Sequence, residues 1–319
     1  MTNRLDAETR SGSPLLATVI SHPFDDTDAD LVLRCVDSVE FRVYKVILAK
    51  ASTVFYDMFS LAAPRPAAPY EEDNPPFKND VPIIDVSEDG RTMDMMLRFC
   101  YPMEDPELSQ FEDTERMLEV GTKYDIDIVV KRAKNTLAII AEHDALRVFS
   151  LGVRLGLRDV GLMAARKSLS QPMWSMEPPF PPDLKHIPAI TFCQLFNYRQ
   201  RCGETAAALC SECGWIEDAS ILVICSTCSP SRTFRVQNGV KLPTSKWFTA
   251  YMDRAAMALR DRPCGRAALD PYMLEHTLHI ASQCNMCGSC ALVSLSKLSR
   301  RLAEEVEKAM DRVPLQIDF

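Results

Sequence analysis

Residues Ala29–Leu61 read ADLVLRCVDSVEFRVYKVILAKASTVFYDMFSL. The apolar period changes once along this stretch. Leu31-Val32-Leu33 with Cys35-Val36, and then Val39–Val43, are short runs rich in β-branched and aromatic residues. Asp37-Ser38 between them is turn chemistry, so the spacing predicts a β-hairpin. From Ile47 onward, Leu48, Ala51, Val54, Phe55, Met58 and Phe59 recur at helical spacing and form one apolar stripe. Ser52 stands where a second helix would be N-capped, which divides the stripe between two short helices.

Upstream, residues 1–26 are polar, with Ser11-Gly12-Ser13-Pro14 as a breaker, and read as a flexible arm. Downstream, residues 62–80 hold Pro64, Pro66, Pro69, Pro75 and Pro76 among Ala, Glu, Asp and Asn. That composition cannot supply a packed core and predicts a mobile insertion. Val81–Val86 then reads as a third strand, with Pro82 restricting it to an edge or to its first residues. A helix over Gly90–Tyr101 follows, then an acidic loop, a helix capped by Thr114, and a further helix through Val129, Ala133 and Leu137.

The order Asp30-x-x-Leu33, short strand, Phe41-Arg42-Val43, then Lys45-x-x-Leu48-Ala49-x-x-Ser52-x-x-Phe55 resembles the BTB/POZ domain. His22-Pro23-Phe24-Asp25-Asp26 with Ala29-Asp30 is similar to BTB proteins of mushroom-forming (basidiomycete) fungi. Tyr44 departs from the pattern, which usually has His before the Lys. The resemblance implies a BTB/POZ domain over residues 27–140, a small mixed sheet capped by helices. It also implies that Asp30 and Lys45 match charged positions near the dimer interface of related domains, where they would serve as interface residues or as a structural pair.

Residues 141–171 read as a helix pair broken at Gly156, which resembles the BACK extension that follows many BTB domains. Residues 172–188 carry six prolines together with Trp174 and Phe180, and read as a linker pinned against a neighbour. Residues 189–319 form a cysteine-rich, mainly α domain. In it we expect a helix over Ile190–Leu209, a short strand at Ile221–Ile224, and a hairpin turning at Asn238-Gly239. Two amphipathic helices follow, one carrying Trp247, Phe248, Tyr251, Met252, Ala255 and Leu259 inward, the other Leu295, Leu298, Leu302, Val306 and Met310. The fold class expected for the whole chain is α+β.

The chain has 319 residues, enough for two cores, and its 47% apolar and 25% charged content is that of a globular protein. Its net charge of −8 argues against nucleic acid as a partner. The acid is concentrated: residues 27–140 hold 13 Lys and Arg against 22 Asp and Glu, which reads as a solvated acidic face. Leu15–Ile20 is only six residues long, and Asp6 and Glu8 stand upstream together with Arg4 and Arg10, which is not a signal-peptide pattern; no stretch approaches a membrane span. The expectation is a soluble protein of the cytoplasm or nucleus, not secreted and with no membrane partner, whose thiols stay reduced.

Ten of the twelve cysteines lie between Cys193 and Cys290, and three groups share one spacing: Cys210-x-x-Cys213, Cys225-x-x-Cys228 and Cys284-x-x-Cys287-x-x-Cys290. Structural Zn²⁺ takes four soft ligands in a tetrahedron, and two C-x-x-C turns supply them. Cys225-x-x-Cys228 follows a predicted strand and Cys284-x-x-Cys287 precedes a predicted helix, so Cys225, Cys228, Cys284 and Cys287 are the candidate zinc ligands. Cys210, Cys213, Cys225 and Cys228 form a competing quartet closer in sequence, with Cys290, Cys202 and His279 as reserve ligands. The plainer reading is that these cysteines are small buried hydrophobes. Neither C₂H₂ finger spacing nor a thioredoxin-like βαβ context is present.

No G-x-S-x-G, P-loop or H-E-x-x-H motif occurs, so we expect no enzyme. The BTB resemblance implies a protein-interaction module that self-associates or docks on a cullin scaffold as a substrate adaptor for ubiquitylation. A nuclear regulator assembling through the same domain is the alternative, and a metal-dependent or thiol enzyme ranks last.

Overall fold

The structure, a computed structural model, describes residues 18–19, 23–61, 77–78, 81–174, 182–216, 225, 227–228, 232–235 and 241–317. It divides into two units, Met1–Leu137 and Ala138–Phe319. The first is built on strands β1 (Thr18–Val19), β2 (Leu31–Arg34), β3 (Val39–Val43), β4 (Phe77–Lys78) and β5 (Val81–Asp85), in the order β1-β3-β2-β5-β4. β2 and β3 are the antiparallel hairpin read from the sequence, with Leu31 opposite Val43 and Leu33 opposite Phe41. Ser38 closes its turn at φ 66°, and Cys35 N–H donates to Val39 O at 2.8 Å. Ser38 N–H also donates to Cys35 O at 2.9 Å, so a tight turn ends on one left-handed residue, which suits strands that twist to the right. β5 lies parallel to β2, and Arg34 forms an ion pair with Asp85 across the two at 2.6 Å.

Two sequence expectations are corrected here. The arm 1–26 is not wholly detached. Thr18–Val19 pairs in parallel with Val39–Glu40, and Phe24 is fully buried, edge-on to Phe41 and Tyr101 at 5.7 and 5.2 Å. Arg42 N–H donates to Phe24 O at 2.9 Å, and the Tyr44 hydroxyl donates to Asp26. One aromatic in a polar segment has no period, yet it anchors the segment by burying its ring. Within the insertion 62–80, Phe77–Lys78 is a strand that pairs antiparallel with Val81–Pro82; residues 62–76 and 79–80 lie outside the described residues.

Among the described residues, this unit also holds the helices α1 (Lys45–Ala51), α2 (Thr53–Leu61), α3 (Gly90–Cys100), α4 (Phe111–Lys123) and most of α5 (Asp127–Ile140), whose last turn passes the boundary. Ser52 does divide the apolar stripe. Its Oγ accepts from Phe55 N–H at 3.0 Å and donates to Tyr124 O. Phe55 stacks on Tyr124 at 4.8 Å with the ring planes 5° apart. α4 starts earlier than the sequence suggests. Gln110 precedes it, and Thr114 Oγ1 bonds back to Gln110 O at 2.8 Å from inside the first turn.

The second unit comprises α6 (Ala145–Arg154), α7 (Arg158–Ser168), α8 (Ala189–Ser211), the hairpin β6 (Arg232–Arg235) and β7 (Lys241–Thr244), α9 (Lys246–Asp261), α10 (Gly265–Ala268), α11 (Pro271–Ser282) and α12 (Asn285–Arg312). Gly156, at φ 65°, turns α6 into α7. The inward residues expected on α9 and α12 are all buried. The division of the chain at Leu137/Ala138 puts the helix pair in this unit, ahead of the proline-rich segment that the sequence suggests as the linker. Arg199 on α8, fully buried, explains why that segment's start stays with the unit. Its guanidinium donates to Ser168 O at 2.6 Å and Gln171 O at 2.7 Å, and it lies 4.5 Å from the Trp174 ring centre. Burial pulls its pKa down to about 10. The strand expected at Ile221–Ile224 and the turn at Asn238-Gly239 lie outside the described residues.

Candidate metal centre and interaction face

The sulfurs of Cys225, Cys228, Cys284 and Cys287 all lie within 4.8 Å of one another. Two local structures bring them there. Around Cys225 the chain folds into a knuckle, with the N–H groups of Thr227 and Cys228 donating to Cys225 Sγ at 3.4 and 3.3 Å. On the other side, α11 ends and α12 begins within a few residues. Cys284 N–H bonds Ala281 O at 3.1 Å, and Gly288 N–H bonds Cys284 O at 2.8 Å. Cys284 therefore caps α12 and Cys287 sits in its first turn, where the positive end of the helix dipole favours thiolates.

Cys225 Sγ is 3.6 Å from Cys284 Sγ, and Cys228 Sγ is 3.6 Å from Cys287 Sγ. Zn–S bonds of about 2.3 Å give a tetrahedron whose sulfurs are about 3.8 Å apart. The two 3.6 Å separations lie close to that figure, and the remaining ones stay within 4.8 Å. The donor set is also soft and complete, with no fifth group needed.

Proton affinities within the cluster diverge. N–H donation from Cys228 pulls Cys225 down to about 6, against the opposing effect of burial. Cys287 is pushed well up, first by burial and then by its neighbouring thiols, and Cys228 is raised chiefly by Cys284. Four crowded sulfurs cannot all carry charge unaided, and a divalent cation is what allows them to.

The competing quartet does not assemble among the described residues. Cys210 and Cys213 are buried at the end of α8, where burial pushes both thiols up to about 12, and Cys213 S–H donates to Cys210 O at 3.9 Å. Cys202 is buried on α8. Cys290 S–H turns back to Met286 O and Cys287 O at 3.3 and 3.6 Å, and His279 lies on the exposed side of α11.

In the first unit, Asp30 and Lys45 do meet, but through the backbone. Asp30 Oδ1 accepts from Lys45 N–H at 2.8 Å. It thus satisfies the first amide of α1, where Tyr44 at the cap position offers no side-chain bond. Beside it, Lys45, Val46, Ala49, Tyr56, Phe59 and Ser60 line a groove of about 240 Å³ between α1 and α2. Val46, Tyr56 and Leu61 on this helix pair are 63%, 58% and 87% exposed. Sequence reasoning singled out the stripe, of which Leu48 and Phe55 are buried while Val54 is exposed, and missed this outer face, although Val46 and Tyr56 fall off the stripe's period.

Compared with known families, residues 22–138 match the BTB/POZ domain. The chain carries a BTB/POZ domain. The match starts at His22, so the BTB/POZ domain includes buried Phe24 and the groove between α1 and α2. BTB/POZ domains mediate protein–protein interaction. No curated protein matches the chain. Among the described residues, no helix is long and apolar enough to cross a membrane.

Proposed function

We propose that this protein is a non-catalytic interaction module that self-associates through its BTB/POZ domain, with a C-terminal unit braced by one structural zinc ion. The observation that carries the first half is the exposed apolar face of α1 and α2. Val46, Tyr56 and Leu61 stand beside a groove on a domain whose class works by protein contact. Covering such a face on a partner removes apolar area from water. Cys225, Cys228, Cys284 and Cys287 are the zinc ligands in this reading, and a closed tetrathiolate shell leaves no position for a substrate.

Native mass spectrometry of the whole chain tests both halves. We expect a dimer that Val46→Asp and Tyr56→Asp turn into monomer, and one zinc per chain in every species. A monomeric wild-type chain at tens of micromolar would remove self-association. The finer version, docking on a cullin scaffold, is tested by co-purification from extract: recovery of a cullin with the intact chain supports it, and its absence removes it. The free thiols along the chain favour a reducing intracellular compartment for this role.

A further inference from the structure

We propose that the cysteine cluster is a peroxide-responsive clasp: oxidation releases its zinc, and the same junction then closes covalently through Cys225–Cys284 and Cys228–Cys287. This rests on the zinc reading above, and the geometry carries it further. Both 3.6 Å sulfur pairs run between the two segments, each joining cysteines 59 positions apart. Burial divides each pair in the same way. Cys228 and Cys284 are half-buried, whereas Cys225 and Cys287 are buried. Each of these two 3.6 Å pairs therefore joins a half-buried cysteine to a buried one; each C-x-x-C pair does the same, so it is the 3.6 Å approach that selects closure across the segments.

The chemistry follows from that asymmetry. The accessible thiolate attacks an oxygen of hydrogen peroxide. An S–O bond forms, the O–O bond breaks, and the departing hydroxide takes a proton to leave as water. The buried thiolate then attacks the sulfenic sulfur. An S–S bond forms, the S–O bond breaks, and a second proton releases the oxygen as water. Two rounds consume two peroxides and four protons, convert four zinc-bound thiolates into two disulfides, and yield four waters and free Zn²⁺. Closure across the segments keeps the knuckle tied to the start of α12. Closure within each C-x-x-C would leave the two segments unlinked. Cys290 stands outside both pairs, its S–H committed to the carbonyls of Met286 and Cys287.

The test uses the full chain purified anaerobically with zinc and titrated with hydrogen peroxide. Zinc release is read with a metallochromic dye, and disulfides are mapped by mass spectrometry after alkylation. We expect one zinc released per two peroxides consumed, with cross-links joining Cys225 to Cys284 and Cys228 to Cys287, unchanged in Cys290→Ser. Disulfides confined to Cys225–Cys228 and Cys284–Cys287, dominant bridges to Cys290, or zinc retained under peroxide would each overturn the clasp while leaving the zinc site standing. A chain that takes up no zinc at all overturns the site reading itself, and the clasp with it.

Discussion

The guanidinium of Arg199 lies 4.5 Å from the centre of the Trp174 ring, and it reaches past that ring to the carbonyls of Ser168 and Gln171. One buried cation on α8 therefore fixes both the end of α7 and the chain that leaves it. Few other residues could do this. The guanidinium fork meets two carbonyls at once while its flat face stacks on the indole. Burial lowers its pKa to about 10, so it stays charged at neutral pH.

Arg199→Met retains much of the volume but removes the charged donor from both carbonyls, leaving Ser168 O with only the Gln171 N–H at 3.1 Å and Gln171 O without its guanidinium partner. A buried acceptor left open costs about 1–3 kcal/mol. We expect a loss of that order in denaturant unfolding of the second unit, with a red shift of Trp174 emission before unfolding. Arg199→Lys recovers only part of this, because an ammonium does not bridge both carbonyls in one plane. A wild-type midpoint in the Met variant would remove the clamp.

Phe24→Ala addresses the start of the BTB/POZ domain. The ring is fully buried between Phe41 and Tyr101. Truncating a buried phenylalanine costs about 3–5 kcal/mol. An arm without tertiary contacts would show almost no change, so equilibrium unfolding in urea separates the two cases cleanly.

Glu88 predicts an acid limb in the same domain. Burial pushes its carboxyl up, but hydrogen bonds from Lys123 at 2.6 Å and Tyr124 at 2.7 Å outweigh that and leave its pKa below the ordinary value. A group depressed in the folded state stabilises fully above its unfolded pKa and loses that contribution as pH falls through the folded one. Wild-type stability should therefore decline as pH drops below about 4.5. Glu88→Gln should be weaker at pH 7 and flatter across the acid range. Parallel slopes for the two proteins between pH 7 and pH 3 would contradict this.

The sequence made the periodic parts legible, and the exceptions have physical reasons. The Leu31–Val43 hairpin, the divided stripe at Ser52 and the Leu295–Met310 face of α12 each repeat a spacing that burial imposes. Phe24 repeats nothing, so a polar arm concealed a core residue. Thr114 looked like a cap, yet Glu112 and Asp113 already belong to the first turn of α4, where acid suits the helix dipole. Arg199 carries no signal in the sequence, because nothing in its neighbours announces two carbonyls arriving from the end of α7. The C-x-x-C spacing gave the ligand type but left two quartets open, and only the meeting of the knuckle with the start of α12 separates them.

That separation yields the sharpest prediction for the second unit. If the site is the quartet Cys225, Cys228, Cys284 and Cys287, Cys287→Ser removes a sulfur from the shell, and Cys210→Ser leaves the shell whole. Metal that binds only the folded chain stabilises it by about 4 kcal/mol at a thousandfold excess over its dissociation constant. For a unit of this size that amounts to about 8–16 °C of thermal midpoint. Cys287→Ser should therefore purify with little zinc and unfold about that much lower, and chelating the wild type should reproduce its melting curve. Cys210→Ser should keep one zinc per chain, with only the modest loss expected of a polar swap in a buried position. Ligation also demands thiolates, so zinc retention should fall as pH is lowered and protons compete for the sulfurs. Zinc content measured by elemental analysis on the two variants side by side decides the matter. Loss from Cys210→Ser and retention in Cys287→Ser would transfer the site to the other quartet.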